Sequence, residues 1–519
     1  MLKSIKVNHS AIYFIGLLLL TISLPLSRFS LSVAQFVIVV NWFWEAGFRE
    51  KLKSLGVNKP ALILISIYVL HAIGLIYTTD YQFAFNDLKV KLPLLVLPVI
   101  IATSKPLSQK KVDTLLLFYI GAALVASFIS FGILIFKDIS DIREISPFIS
   151  HIRMSLNICL AIFFAGYFVF SNKRRHPIFR LGLLLSMIWM LAFLLISESG
   201  TGIYIMIVAS IILAFYGLIK ISNQAVKVII VILAILLPAS IFVYLNSTVK
   251  SYLLPHKNDL NNIEYYTAKG NPYYNDTINY QVENGSYIGL YISDVELREA
   301  WKTRSNLDYE GEDEKGQYLK QTLIRYLNSK GLRKDELGVN QLTDEDIRNI
   351  EKGIANVYYA KKISINSRIY KLLWEYQTAH RGGNPGGLSV VQRTEYWKAS
   401  WGIIKSNFIT GVGTGDLGLA FKSQYVKMNS VLPLEFRHRS HNQFLAIWIA
   451  FGIIGFCWFI FSLLYPPIKR KMLFEYTYFI FFVVIVLSML VEDTLETQMG
   501  VSLYAFLNAF LLFGREEIT

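Results

Sequence analysis

The sequence predicts an all-α polytopic membrane protein of about twelve spans, with one large, mostly helical loop between spans nine and ten. Composition, recurring apolar runs and the placement of basic residues predict it. The chain has 519 residues, of which 54% are hydrophobic and 17% charged. Its mean hydropathy is +0.43, which excludes an ordinary soluble enzyme.

Apolar runs of roughly 20 residues, the length that crosses a bilayer core, recur along the chain. They fall near 10–26, 31–47, 60–77, 86–102, 113–136, 153–170, 179–196, 201–219, 226–245, 441–464, 473–490 and 499–514. Regions 1–245 and 441–519 are therefore read as membrane regions, and 246–440 as a loop or cap domain. The first run lacks a small-residue cleavage site and reads as a retained helix. Cys159 and Cys457 both lie within predicted spans, so no disulfide framework or cysteine metal site is expected.

The net charge of +14 resembles that of a nucleic-acid binder, but its placement argues for membrane topology. Arg49, Lys51, Lys53 and Lys59 follow span two; Lys105, Lys110 and Lys111 follow span four. Lys173, Arg174, Arg175 and Arg180 follow span six, Lys220 and Lys227 span eight, and Lys469, Arg470 and Lys471 span ten. Alternate loops thus carry the cations, which puts both termini on the cytoplasmic side and 246–440 outside.

Within that loop, NNIEYYTAKGNPYYNDTINYQVENGSY reads as irregular or short extended chain. Helices are expected over DVELREAWKTRS and over KGQYLKQTLIRYLNSKGLRK, the latter stopped by Gly331. Thr343 with Asp346 forms a capping box opening a stretch towards Tyr376; RGGNPGG then breaks the chain, and Ser389 with Gln392 caps a helix to about Ser406. So long a segment is functional or disordered, and its aromatic content argues against disorder. No internal repeat of the transporter kind is visible.

The topology sends many polar residues to the outer face. Arg153 opens span six, Lys89 and Lys91 open span four, and Arg393 sits in the capped loop helix. Arg437, His438, Arg439 and His441 precede span ten. Cations at separate helix ends suit one anionic group, and arginine suits phosphate because its planar fork donates paired hydrogen bonds. A lipid diphosphate fits that description. Each residue has a plainer reading: Lys89 and Lys91 as headgroup anchors, Arg153 paired with Asp141 or Glu144, His441 bonded to a carbonyl. Glu492, Asp493 and Glu496 read by default as solvated loop residues. The sequence GVGTGD lacks the GK[ST] ending of a P-loop and reads as a tight turn allowing close backbone approach, with Asp416 holding Arg or His partners.

Together these residues resemble the O-antigen ligase family, bacterial membrane glycosyltransferases that include O-antigen polymerases and some protein O-oligosaccharyltransferases. The resemblance rests on Arg153, on Arg393 in QRTEYWKASWGIIKSN followed by GVGTGD, and on His441 and Asn442 in SHNQFLAIWIAFGIIG. It is strongest over 388–456. Many members carry a histidine two residues before the motif histidine; here that position is Arg439, with His438 beside it. The insert at about 285–380 is similar to that of Bacteroidetes-type members and hints at a Gram-negative owner.

The resemblance implies a glycan donor on undecaprenyl diphosphate, used at the periplasmic face of the inner membrane without metal or other cofactor. It implies diphosphate binding by Arg153, Arg393, Arg439 and Lys91, and His441 as catalytic base. Asp416, Asn442 and His438 would support them. The expected acceptor is lipid A–core, and the other partners are membrane lipids, with no role for nucleic acid. A polymerase or protein-glycosylating enzyme of the same superfamily is the alternative within the class. A flippase or transporter of the same lipid is the rival outside it, but a transporter needs polar groups at the bilayer midplane. A non-catalytic assembly partner is a second rival and would not need His441.

Overall fold

The computed structural model describes residues 8–137, 139, 141–170, 176–220, 223–255, 263–278, 281–360, 365–380 and 389–516. It is 74% helical with almost no sheet, which bears out the all-α class. The chain divides into two contact units, residues 1–220 with 392–519, and residues 221–391.

The first unit begins with α1 (His9–Leu26), α2 (Arg28–Trp44), α3 (Phe48–Val57), α4 (Lys59–Ile73), α5 (Tyr81–Lys91) and α6 (Pro93–Thr103). It continues with α7 (Gln109–Phe136), α8 (His151–Phe170), α9 (Pro177–Ile196) and α10 (Gly200–Lys220). The second unit holds α11 (Gln224–Leu253), a hairpin of β1 (Val282–Glu283) and β2 (Ser286–Tyr287), then α12 (Asp294–Arg304) and α13 (Leu319–Ser329). Its remaining helices are α14 (Glu336–Asn340), α15 (Asp344–Glu351) and α16 (Ile365–His380). The chain then forms α17 (Ser389–Ser406), α18 (Leu417–Lys427), α19 (Gln443–Lys469), α20 (Tyr476–Val491) and α21 (Gln498–Phe513).

Among the described residues, seven helices are long and apolar enough to cross a membrane, or eight if the bent pair α2 and α3 is one span. The expected span at 86–102 is two helices. Pro93 has no N–H to continue the helical hydrogen-bond ladder, so α5 ends at Lys91 and Pro93 becomes the first residue of α6, although Leu92 between them keeps helical φ −51° and ψ −34°. Both α20 and α21 are apolar but only 16 residues long. Every residue from Met499 to Phe513 in α21 is buried, so this helix lies within the bundle, where protein surrounds it. Polar side chains join the packed helices, as lipid provides no hydrophobic drive between them: Tyr119 donates to Asn157 at 2.7 Å and Tyr478 to Asn508 at 2.9 Å.

In the second unit the helix expected from 294 forms and the one expected from 315 starts at Leu319, Gly331 stops α13 at φ +68°, and the Thr343–Asp346 capping box is made. The stretch towards Tyr376 is interrupted, because α15 ends at Glu351 and Gly353 follows at φ +69°. Residues 246–253, expected as loop, prolong α11. Leu297, Leu323 and Leu327 are fully buried in this unit's own core, each worth about 1.5–3 kcal/mol relative to exposure. Arg325 donates twice to Glu283, at 3.0 Å each, and lies 3.4 Å over the Trp374 ring. The cationic residues 173–175, the 381–387 break and the capping contact of Ser389 lie outside what the structure describes.

The GVGTGD turn packs against a break in α19. Gly452 has φ +62° and ψ −168°, and the turn pairs with the helix there: Val412 N–H donates to Ile449 at 2.9 Å and Gly413 N–H to Ala450 at 2.8 Å. A Cβ on Gly452 would lie 2.0 Å from the Ile409 carbonyl oxygen. Gly452→Ala is therefore expected to cost about 3 kcal/mol through strain and overlap, read as a lower thermal unfolding midpoint of the purified protein. Gly418→Ala, with nothing within 4 Å of its Cβ, is expected to leave the midpoint unchanged or slightly raised.

Candidate functional site

The site is built around the short turn between α20 and α21. Glu492, Asp493 and Glu496 follow an apolar helix, and their carboxyl groups turn inward to meet cations from distant parts of the chain. Arg393 of α17 donates Nη2 to Glu492 Oε1 at 3.0 Å. The other oxygen of Glu492 faces His441 Nδ1 at 3.4 Å. Arg439 Nη1 donates to Glu496 Oε2 at 3.1 Å, and Lys91 Nζ reaches the same oxygen at 2.9 Å. Arg153, at the start of α8 and only 5% exposed, donates Nη2 to the Asp493 carbonyl at 3.1 Å. Its Nη1 is buried without a hydrogen-bond partner among the described residues. The acids expected as solvated residues are thus the site's counter-charges.

Asp493 fixes the backbone that carries the histidine. Its Oδ1 accepts from the Ser440 hydroxyl at 3.1 Å and from the Asn442 N–H at 2.8 Å, on either side of His441. Held from both sides, His441 adopts φ +45°, the left-handed region that non-glycine residues seldom enter. Asn442 then caps α19, its side chain accepting from Leu445 N–H at 3.1 Å. Tyr396 of α17 stacks on the imidazole at 5.4 Å and an interplanar angle of 29°. Burial, with Glu496 beside it, pushes the Asp493 carboxyl above its ordinary range. Burial acts on Glu496 in the same sense, but Lys91 and Arg439 outweigh it and hold that group below its ordinary range.

Of the expected site residues, Arg153, Arg393, Arg439, His441 and Asn442 meet at this turn. Lys91 reaches it too, but its side chain is fully enclosed by Asp87, at 2.5 Å, and Glu496. Its ammonium is taken up by those two carboxylates and is not exposed. His438 stands beside the site, its ring 6.2 Å from that of His441. Burial, with His441 as neighbour, holds it below the ordinary histidine range.

Asp416 lies apart, and its partners are neither Arg nor His. It accepts from the Thr79 and Asp80 N–H groups at 2.9 and 2.8 Å and from the Thr78 hydroxyl at 3.2 Å. Burial opposes its ionisation, but these hydrogen bonds outweigh burial and hold the carboxyl below its ordinary value of 3.8. Arg153 pairs with neither Asp141 nor Glu144; Asp141 instead caps the short turn at 142–145. A signal for the acidic turn was present in the sequence: three carboxylates within five residues joining two apolar helices, in a chain with few charges.

Two outcomes follow. Lys91→Met leaves Asp87 and Glu496 buried without their ammonium, a loss of about 3–5 kcal/mol, seen as a lower yield of folded protein. Asp416→Asn removes a carboxylate stabilised in its ionised form. Wild type is expected to be more stable than the variant above the ordinary value of 3.8, the difference vanishing as pH falls through the depressed folded value. Unfolding midpoints measured against pH check this.

No curated protein matches the chain. Residues 354–460 match the family model described as O-Antigen ligase. That stretch contains Arg393, Asp416, His438, Arg439, His441 and Asn442. The match bears out the resemblance read from the sequence: over those residues the chain is similar to the O-antigen ligase family, which supports a membrane glycosyltransferase at the coarse level.

Proposed function

We propose that the protein transfers a glycan from undecaprenyl diphosphate to an acceptor hydroxyl at the periplasmic face of the inner membrane, with lipid A–core as the acceptor. The observation that carries the reading is the convergence of Arg153, Arg393 and His441 on the turn at Glu492 and Asp493. A phosphate-binding pair of guanidiniums and a proton acceptor are what the transfer requires at one place.

The geometry supports the following roles. Nδ1 of His441 faces a carboxylate, which assigns it the proton and leaves the lone pair on Nε2. Nε2 takes the proton of the acceptor hydroxyl as its oxygen attacks the anomeric carbon. The bond from that carbon to the diphosphate oxygen breaks, and the electron pair leaves with the carrier, inverting the anomeric centre. Arg153 and Arg393 receive the charge that develops on the diphosphate, Arg153 through its unpaired buried Nη1. Arg439 stands beside them on Glu496.

The test is deletion of the gene in its host, with surface lipopolysaccharide resolved on a gel after complementation. Bare lipid A–core with full-length polymer held on the carrier is the expected result. His441→Ala is expected to lower transfer about 100- to 10,000-fold, and Arg153→Ala to fail as well. Core carrying a single repeat unit would make the protein a polymerase. An unaltered pattern, or full rescue by His441→Ala, would sink the catalytic reading.

A further inference from the structure

The outward face of α17 leads from the site towards the membrane part of α19. Arg393 lies one turn before Trp397, whose indole N–H donates to the Ser440 carbonyl at 3.1 Å, next to His441. One turn further on, Trp401 is 48% exposed, and Phe408, just beyond the helix, is exposed to the same extent. Both rings pack edge-on to Trp448 at 5.7 Å, and Trp448 stacks on Phe456 at 4.9 Å. The Phe408 carbonyl accepts from Ile453 N–H at 2.8 Å, joining the path to α19 just past its break. From Asn442 to Gly452 the helix rises about 15 Å, so the site stands that far along α19 from the break. Beyond the break Ile454 is 65% exposed.

A diphosphate held at Arg393 and Arg153 has its lipid tail to accommodate over that distance. Isoprene units are branched and apolar, and a strip of aromatic faces with large accessible area suits them. The geometry points to the strip Trp397–Trp401–Phe408–Trp448–Phe456 as the seat of the donor's polyprenyl tail. This rests on the diphosphate reading above and adds recognition of the carrier lipid to that of its headgroup. The strip is continuous with the cationic site at one end and with a membrane-spanning helix at the other, which favours the donor's own tail as occupant.

The test uses the purified full chain in detergent, with undecaprenyl diphosphate and geranyl diphosphate as probes, binding being read by native mass spectrometry. Wild type is expected to hold the long-chain probe about tenfold or more tighter than the short one. Trp401→Gln with Phe408→Gln should bring the ratio to near parity while short-chain affinity is kept. Trp401→Phe with Phe408→Leu, which retains apolar area, should keep the wild-type ratio. A wild-type ratio in the glutamine variant would overturn the inference and leave the strip to bulk lipid, as would equal loss in both variants. If wild type binds neither probe, the diphosphate reading falls first, an outcome distinct from loss of chain-length preference alone.

Discussion

The organisation of the site depends on buried negative charge at the turn between α20 and α21. A carboxylate in a low-dielectric interior is tolerated only when cations and hydrogen bonds surround it. Glu492, Asp493 and Glu496 therefore draw in Arg393 from α17, Arg439 and His441 from the segment before α19, Lys91 from α5 and Arg153 from α8. Without those carboxylates the same cations would repel one another and turn towards headgroups. The acids define a place, and the cations share it because of them.

A second constraint is backbone contact. The glycines of GVGTGD allow the turn to pair with the exposed backbone at the break in α19, while Asp416 ties the turn's end to residues 78–80. A Cβ on Gly411 would lie 2.4 Å from Ala450 backbone atoms, and one on Gly415 2.1 Å from the Asp80 carbonyl. Neither position admits a side chain. The turn therefore fixes the upper part of α19, whose N-terminal cap is the residue after His441.

Much of this was legible in the sequence. Hydropathy made the chain a helical membrane protein, and the cluster RHRSHN at a helix start pointed to His441 because such polar density beside a span has a cost that calls for a use. The expected tight turn at GVGTGD is a tight turn, and its close neighbour is a helix. What escaped was decided by tertiary contact. A carboxylate after an apolar run looks solvated unless its partners, hundreds of residues away, are known. Lys91 looked like a ligand for the same reason, since only its burial beside Glu496 reveals it as a support. The break before Pro93 was readable from proline chemistry alone, but hydropathy averages across it. The helices α20 and α21 fall short of a full span by length, and α21 is packed within protein.

The ion pairs also bear on turnover. The positive charges of Lys91, Arg153, Arg393 and Arg439 are set against Asp87, Glu492, Asp493 and Glu496, so the resting site carries compensated charge. On the function proposed above, an incoming diphosphate would be gripped by exchange with carboxylates, which would limit how tightly it can be held. On the same reading the spent carrier would leave on the same terms, because the acids stand ready to reclaim the guanidiniums. A site of bare arginines would hold such a product as firmly as its donor; a site with compensated charge would trade some affinity for release.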